Sequence, residues 1–238
     1  MKSIFIADAH LKHPADKNYR KMVAFLSNLP HDVDNLIILG DFFDFWFGYH
    51  DVVYADYVPI LATLETLVER GIRLYFVEGN HEINLGPYFC NHLRTHSNPR
   101  QLSLSIDGQR LYLAHGDLLN DDQWLYLKWH KLLKSQLITR IIHLIPPSVT
   151  RRLARRLSAG SRKRGRQAHG IPATLTAKLQ KILQVGYDAA IIAHYHQPLE
   201  QRTTVNGRQC PIFFLGDWLT DYSYLLLENG TFELKTAS

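Results

Sequence analysis

Residues 36–44 read LIILGDFFD. Four large apolar residues run unbroken into a glycine, and an aspartate follows at once. A run this short, made of residues that suit a pleated surface and closed by glycine, is expected to be a strand buried on both faces. Asp41 then stands just past the carboxyl end of that strand.

The same pattern repeats on either side. SIFIA precedes Asp8, LYFVEG precedes Asn80, LYLA precedes His115 and AAIIA precedes His194. Between the first three runs the spacing is helical. Residues 17–29 carry Met22, Phe25, Leu26 and Leu29 on one face, and Tyr54 to Arg70 is expected to be a long helix closed by Gly71. Strand, helix, strand, helix, strand argues for an α/β sheet. Beyond residue 100 the rhythm changes. Asp107-Gly108, Asn206-Gly207 and Asn229-Gly230 sit between apolar-alternating runs, as hairpin turns do. Residues 121–185 read as mostly helical, interrupted at Pro146-Pro147 and again between Gly160 and Pro172. The expected division is an α/β body formed by residues 1–120 and 186–238, with a helical insertion over 121–185.

Charge is concentrated in one place. Eight of the 27 Lys/Arg, and none of the 22 Asp/Glu, fall in residues 151–167, RRLARRLSAGSRKRGRQ. Without that segment acids outnumber bases, so the net charge of +5 belongs to a patch. A patch of this kind points to an anionic partner. Upstream of it, Trp124, Leu125, Trp129, Leu132, Leu137 and Ile141 alternate with Lys128, Lys131 and Arg140, an apolar and cationic mixture suited to a membrane surface or to a substrate with acyl chains. Two distant cysteines exclude a C-x-x-C redox or zinc-knuckle site. No apolar run is long enough to cross a bilayer, and the N-terminal run is broken by Asp8 and His10 too early for a signal peptide. The expected location is cytoplasmic, with a peripheral association through residues 128–167 on the inner face of the membrane.

Five polar groups at five strand ends can meet in one cleft, because loops converge at the carboxyl edge of such sheets. Their chemistry suits metal ions: carboxylate and amide oxygens are hard donors, and imidazole accepts Mn, Fe, Co or Zn. Asp8-x-His10 and His194-x-His196 each place two donors on one side of an extended segment, and Asp41 has two oxygens with which to bridge.

Taken together, D-x-H (8–10), G-D-x-x-D (40–44), G-N-H-E (79–82), H-G-D (115–117) and H-x-H (194–196) resemble, in order, the signatures of the calcineurin-like metallophosphoesterases. That resemblance implies an α/β/β/α sandwich and two divalent ions, with manganese the expected metal. It implies one ion held by Asp8, His10, Asp41 and His196, and the other by Asp41, Asn80, His115 and His194. His81 would serve the leaving oxygen, oriented by Asp44. The last motif departs from the family's usual G-H-x-H in having Ala193, and Tyr195 stands where a small residue is usual. IFIADAHL, GDFFDFWFG, the acids after HGD and the insertion resemble the branch of the family that hydrolyses UDP-2,3-diacylglucosamine in the lipid A pathway, although that branch usually has G-N-R-D where this chain has G-N-H-E. In that branch Asp122, Ser161 and Arg164 would contact substrate, and the products would be 2,3-diacylglucosamine 1-phosphate and UMP. Two other readings compete: a nuclease or nucleotide phosphodiesterase whose basic run tracks nucleic acid, and a non-catalytic scaffold. The absence of aromatics within 151–167 weighs against the first, and the full ligand set against the second.

Overall fold

A computed structural model describes residues 1–120, 124–153 and 170–237. The expected substrate contacts Asp122, Ser161 and Arg164, and residues 154–167 of the basic run, lie outside the described residues.

Two sheets stack face to face. The first has the order β11-β10-β1-β2-β3-β4, from β1 (Lys2–Ile6), β2 (Asn35–Ile38), β3 (Arg73–Val77), β4 (His96–Asn98), β10 (Ser223–Glu228) and β11 (Thr231–Thr236). The second is β5-β6-β7-β9-β8, from β5 (Gln101–Ile106), β6 (Gln109–Ala114), β7 (Ala189–Ile192), β8 (Leu199–Val205) and β9 (Arg208–Phe214). Strands β1 to β4 run parallel, as do β6, β7 and β9. Hairpins complete three of the four edges, and parallel β4 forms the other.

The apolar runs explain the layering. Successive side chains of a strand point to opposite faces. Ile4, Ile6, Leu36 and Ile38 therefore pack outward under helices α1 (Lys17–Ser27) and α2 (Val58–Glu69). Phe5, Ala7, Ile37 and Leu39 face inward, against Leu113, Ile191 and Phe213 of the second sheet. Both faces are buried, so the sequence shows continuous rather than alternating hydrophobicity. The second sheet's outer face is covered by Leu175, Leu179 and Leu183 of α5 (Ala173–Leu183). The result is helix, sheet, sheet, helix.

Two more helices, α3 (Trp124–Leu133) and α4 (Gln136–His143), stand over the strand ends. α4 begins at Ser135, whose hydroxyl accepts the Ile138 N–H. The expected helix from Tyr54 starts later: Ala55–Tyr57 is a tight helical turn, and Pro59 near the start of α2 fits a first turn that needs no N–H. Strand β4 was not expected. It is a polar tripeptide with no apolar run of its own, recruited by the open edge of β3.

Candidate metal centre

Six polar residues emerge where six strands end. Asp8, Asp41 and Asn80 follow β1, β2 and β3 of the first sheet. His115, His194 and Asp217 follow β6, β7 and β9 of the second. Backbone bonds fasten these loops together. The Asp8 N–H donates to the Gly40 carbonyl at 3.0 Å, the His10 N–H to Asp41 at 2.9 Å, and the Ala193 N–H to His115 at 2.9 Å. The Gly40 and Gly79 loops touch so closely that a Cβ on Gly40 would lie 2.6 Å from the Gly79 nitrogen, and one on Gly79 would lie 2.2 Å from Asp41 Oδ1.

All seven expected ligands meet in this cleft. Asp41 lies at its middle. Its Oδ2 is 3.8 Å from His10 Nε2 and 3.8 Å from His81 Nε2; its Oδ1 is 3.6 Å from His115 Nε2. Asp8 Oδ1 faces His196 Nε2 at 3.6 Å and His10 Nε2 at 3.9 Å. On the other side, His115 Nε2 is 3.3 Å from Asn80 Oδ1 and 3.2 Å from His194 Nδ1. Ligand atoms of Asp8, His10 and His196 all lie within 4.8 Å of one another, as do those of Asp8, Asp41 and His115. Five of the seven, Asp8, His10, Asp41, His194 and His196, have left-handed backbones, with φ between 44° and 74°. Such conformations cost side-chain-bearing residues of order 1–3 kcal/mol each and persist where surrounding structure imposes them.

The arrangement fits cations. Asp8 Oδ1 is buried with no hydrogen-bond partner among the described residues, a costly state for a carboxylate oxygen unless a charge completes it. Burial alone would raise the pKa of Asp41, but His81, His115 and His10 around it hold it well below the usual carboxylate range. Burial would lower His115 and His196. Instead both are pushed up to about 9, His115 by Asp41 and Asp8, and His196 by Asp8 and Asp217. A divalent ion would satisfy the same carboxylates that raise these two imidazoles.

Supporting contacts complete the centre. His115 Nδ1 donates to the Leu39 carbonyl at 2.8 Å, which turns Nε2 toward the cleft. His81 Nδ1 donates at 2.6 Å to the carbonyl of Asp44. Asp44, expected to orient His81, meets it through this carbonyl, and the Asp44 carboxylate also faces Lys12, with Nζ 3.9 Å away. Asp217, not anticipated, lies 3.0 Å from His196 Nδ1. The signal was there, since IFFLG before Asp217 repeats the pattern that marked the others. Glu82 was also unassigned. Fully buried, it accepts the N–H groups of Asp41, Gly79 and Phe43 and so joins two ligand loops; burial and Asp41 push it up to about 7. Of the aromatic stretch, Phe42, Phe43, Trp46 and Phe47 are core. Phe45 lines a cavity of about 350 Å³ with Lys12, Asp44, Tyr54, Tyr57 and Arg151.

A sequence model described as calcineurin-like phosphoesterase matches residues 1–198. The UDP-2,3-diacylglucosamine hydrolase of Aromatoleum aromaticum is 28% identical over 228 residues, covering 94% of this chain and 92% of its own. That of Proteus mirabilis is 27% identical over 238 residues and covers 98% of each chain. Among solved structures, an archaeal phosphodiesterase superposes with a TM-score of 0.50 at 14% identity, covering 99% of both chains, which is a likeness of fold.

Proposed function

Since this chain belongs to the calcineurin-like phosphoesterase family, we propose that its cleft holds two divalent ions, one between Asp8, His10, Asp41 and His196 and one between Asp41, Asn80, His115 and His194, and that it hydrolyses the phosphoanhydride of UDP-2,3-diacylglucosamine. The products are 2,3-diacylglucosamine 1-phosphate and UMP. The observation that carries the hydrolase reading is the convergence of these donors from both sheets on the two oxygens of Asp41. The substrate reading is supported by relatives of that name along nearly the whole chain.

Divalent ions held there, manganese in our reading, would supply positive charge to polarise a phosphoryl group and acidify water. The chain's own residues do the rest. Asp41 presents one oxygen to each half of the cleft. His81 commits Nδ1–H to the Asp44 carbonyl and leaves Nε2 facing the reaction. Against burial, Asp41 and that carbonyl raise the His81 pKa above its ordinary value, so Nε2 can hold a proton for the leaving oxygen.

The insertion is read as the lipid-facing part, ending before α5, which packs on the body. Trp124, Leu125, Trp129, Leu132, Leu137, Ile141 and Leu144 are exposed on it, with Lys128 over the Trp124 ring at 4.7 Å. Such a surface suits acyl chains and the anionic cytoplasmic face of a membrane. No helix among the described residues is long and apolar enough to cross one.

The test is a hydrolysis panel with added Mn: UDP-2,3-diacylglucosamine, a cyclic nucleotide, an aryl phosphodiester and single-stranded DNA. UMP release from the first should dominate. Turnover of the last two alone would move the assignment to a nuclease. His115→Ala should lower whichever activity is found at least about a hundredfold, since a metal's contribution is several kcal/mol.

A further inference from the structure

Among the described residues, the insertion reaches the metal-centre loops at Lys134 and, through Tyr126 and His130, at Asp117; the first contact is built like a lock. Lys134 closes the turn between α3 and α4, and its side chain is only 12% exposed. Its ammonium lies 3.0 Å from Glu78 Oε2 and donates at 3.0 Å to the carbonyl of Gly79. That carbonyl belongs to the peptide whose nitrogen is Asn80's. The preceding peptide is held as well, because the Gly79 N–H donates to Glu82 Oε2 at 2.9 Å. Glu78 is pinned in turn by accepting the Leu85 N–H at 3.0 Å. Among the described residues, then, the segment that carries Asn80 and His81 is braced from below by Glu82 and from above by Lys134. The second contact is the Tyr126 hydroxyl, which donates to Asp117 Oδ2 at 3.0 Å, two residues past His115.

We propose that Lys134 is a positioning residue for the reaction: by fixing the Gly79–Asn80 peptide it aims Asn80 and His81. The inference rests on the proposed metal centre, though not on the identity of the substrate. A carbonyl held by a charged donor resists rotation of its peptide plane more than one left to water. Turning that plane would swing the Asn80 amide away from His115 Nε2, 3.3 Å distant. Residues that orient a ligand without touching the metal change affinity or activity by roughly 10–100-fold when removed. Lys134 has that relation to Asn80, and it comes from the segment that also offers the exposed apolar surface. Seating of the insertion and geometry of the centre are therefore one event rather than two.

The experiment compares wild type with Lys134→Met, Lys134→Arg and the pair Lys134→Met/Glu78→Gln. The double change removes the buried Glu78 charge that the single change would strand. Two quantities are read: Mn stoichiometry and affinity by calorimetry, and kcat and KM for bis(p-nitrophenyl) phosphate, an aryl diester with no lipid to engage the insertion. Both Lys134→Met proteins should lose about tenfold or more in kcat on the aryl diester or in affinity for one of the two ions. Lys134→Arg, which keeps a charged donor, should recover most of that loss. Two ions bound normally and an unchanged aryl kcat in both Met variants would overturn the inference, whatever happens to lipid turnover. Failure of the substrate reading looks different: wild type binds two ions and cleaves the aryl diester but leaves UDP-2,3-diacylglucosamine intact.

Discussion

His196 illustrates how a single contact decides a ligand's behaviour. Its Nδ1 lies against Asp217, whose Oδ1 in turn accepts the N–H groups of Leu219 and Thr220, so the carboxylate is itself fixed before it fixes the imidazole. Replacing Asp217 by Asn should weaken Mn binding about 10–100-fold. The same titration carries a pH signature. Metal-free His115 and His196 keep their protons up to about 9, and a cation must displace them. Affinity should therefore rise as pH climbs from 6 toward 9, with protons released that calorimetry in buffers of different ionisation enthalpy will count. A flat profile would contradict the placement of these two rings. The donors themselves were legible in the sequence, because a polar residue after an apolar run is a pattern of residue types. The link from His81 to Asp44 was only half legible: a backbone carbonyl exists at every position, and nothing in a residue's identity says that its main chain will be the acceptor.

Strands and turns were read well where side chains dictate them. Asp107-Gly108, Asn206-Gly207 and Asn229-Gly230 all adopt positive φ at both residues, between 50° and 78°, as two-residue hairpin turns require. What escaped notice was decided by neighbours. β4 owes its existence to the edge of β3, and α5, expected within the insertion span, places Leu175, Leu179 and Leu183 on the second sheet. The apolar residues of α3 and α4 follow a similar spacing yet leave many side chains in solvent. Periodicity reveals a face, not what covers it. Leu179→Ala should accordingly cost about 2–5 kcal/mol in a denaturant melt, as buried leucines do. Leu144→Ser, at a side chain 86% exposed, should stay within about 0.5 kcal/mol while reducing sedimentation with anionic vesicles. Equal losses at the two positions would mean that the insertion packs against something its described residues do not show.

The molecule as a whole is held by two different kinds of join. The layers of the body meet through apolar clusters. The described residues of the insertion meet the body through polar contacts, namely the Tyr49 hydroxyl with Thr150 at 2.8 Å, Tyr54 with the same threonine at 3.3 Å, an ion pair between Arg151 and Asp56, Tyr126 with Asp117 and Lys134 with Glu78, and through the His143 ring against Phe47, Tyr49 and His50. Ile142 adds a partly buried apolar contact. A join of that kind opens more readily than a packed core, so amides of residues 124–153 should exchange with deuterium well before those of β1, β2 and β7. Comparable protection across all of them would make the insertion an integral layer.

Three of the six strand-end groups, Asp8, Asp41 and Asn80, belong to one sheet, and His115, His194 and Asp217 belong to the other. A cation held jointly by ligands from the two sheets would work as a rivet through two plates. An ion that binds only the closed sandwich adds about 2.7 kcal/mol at a hundred times its dissociation constant. Stripping the protein with a chelator should therefore depress its melting temperature, and restoring Mn should raise it again, which would turn an ordinary thermal ramp into a gauge of how fully the centre is loaded.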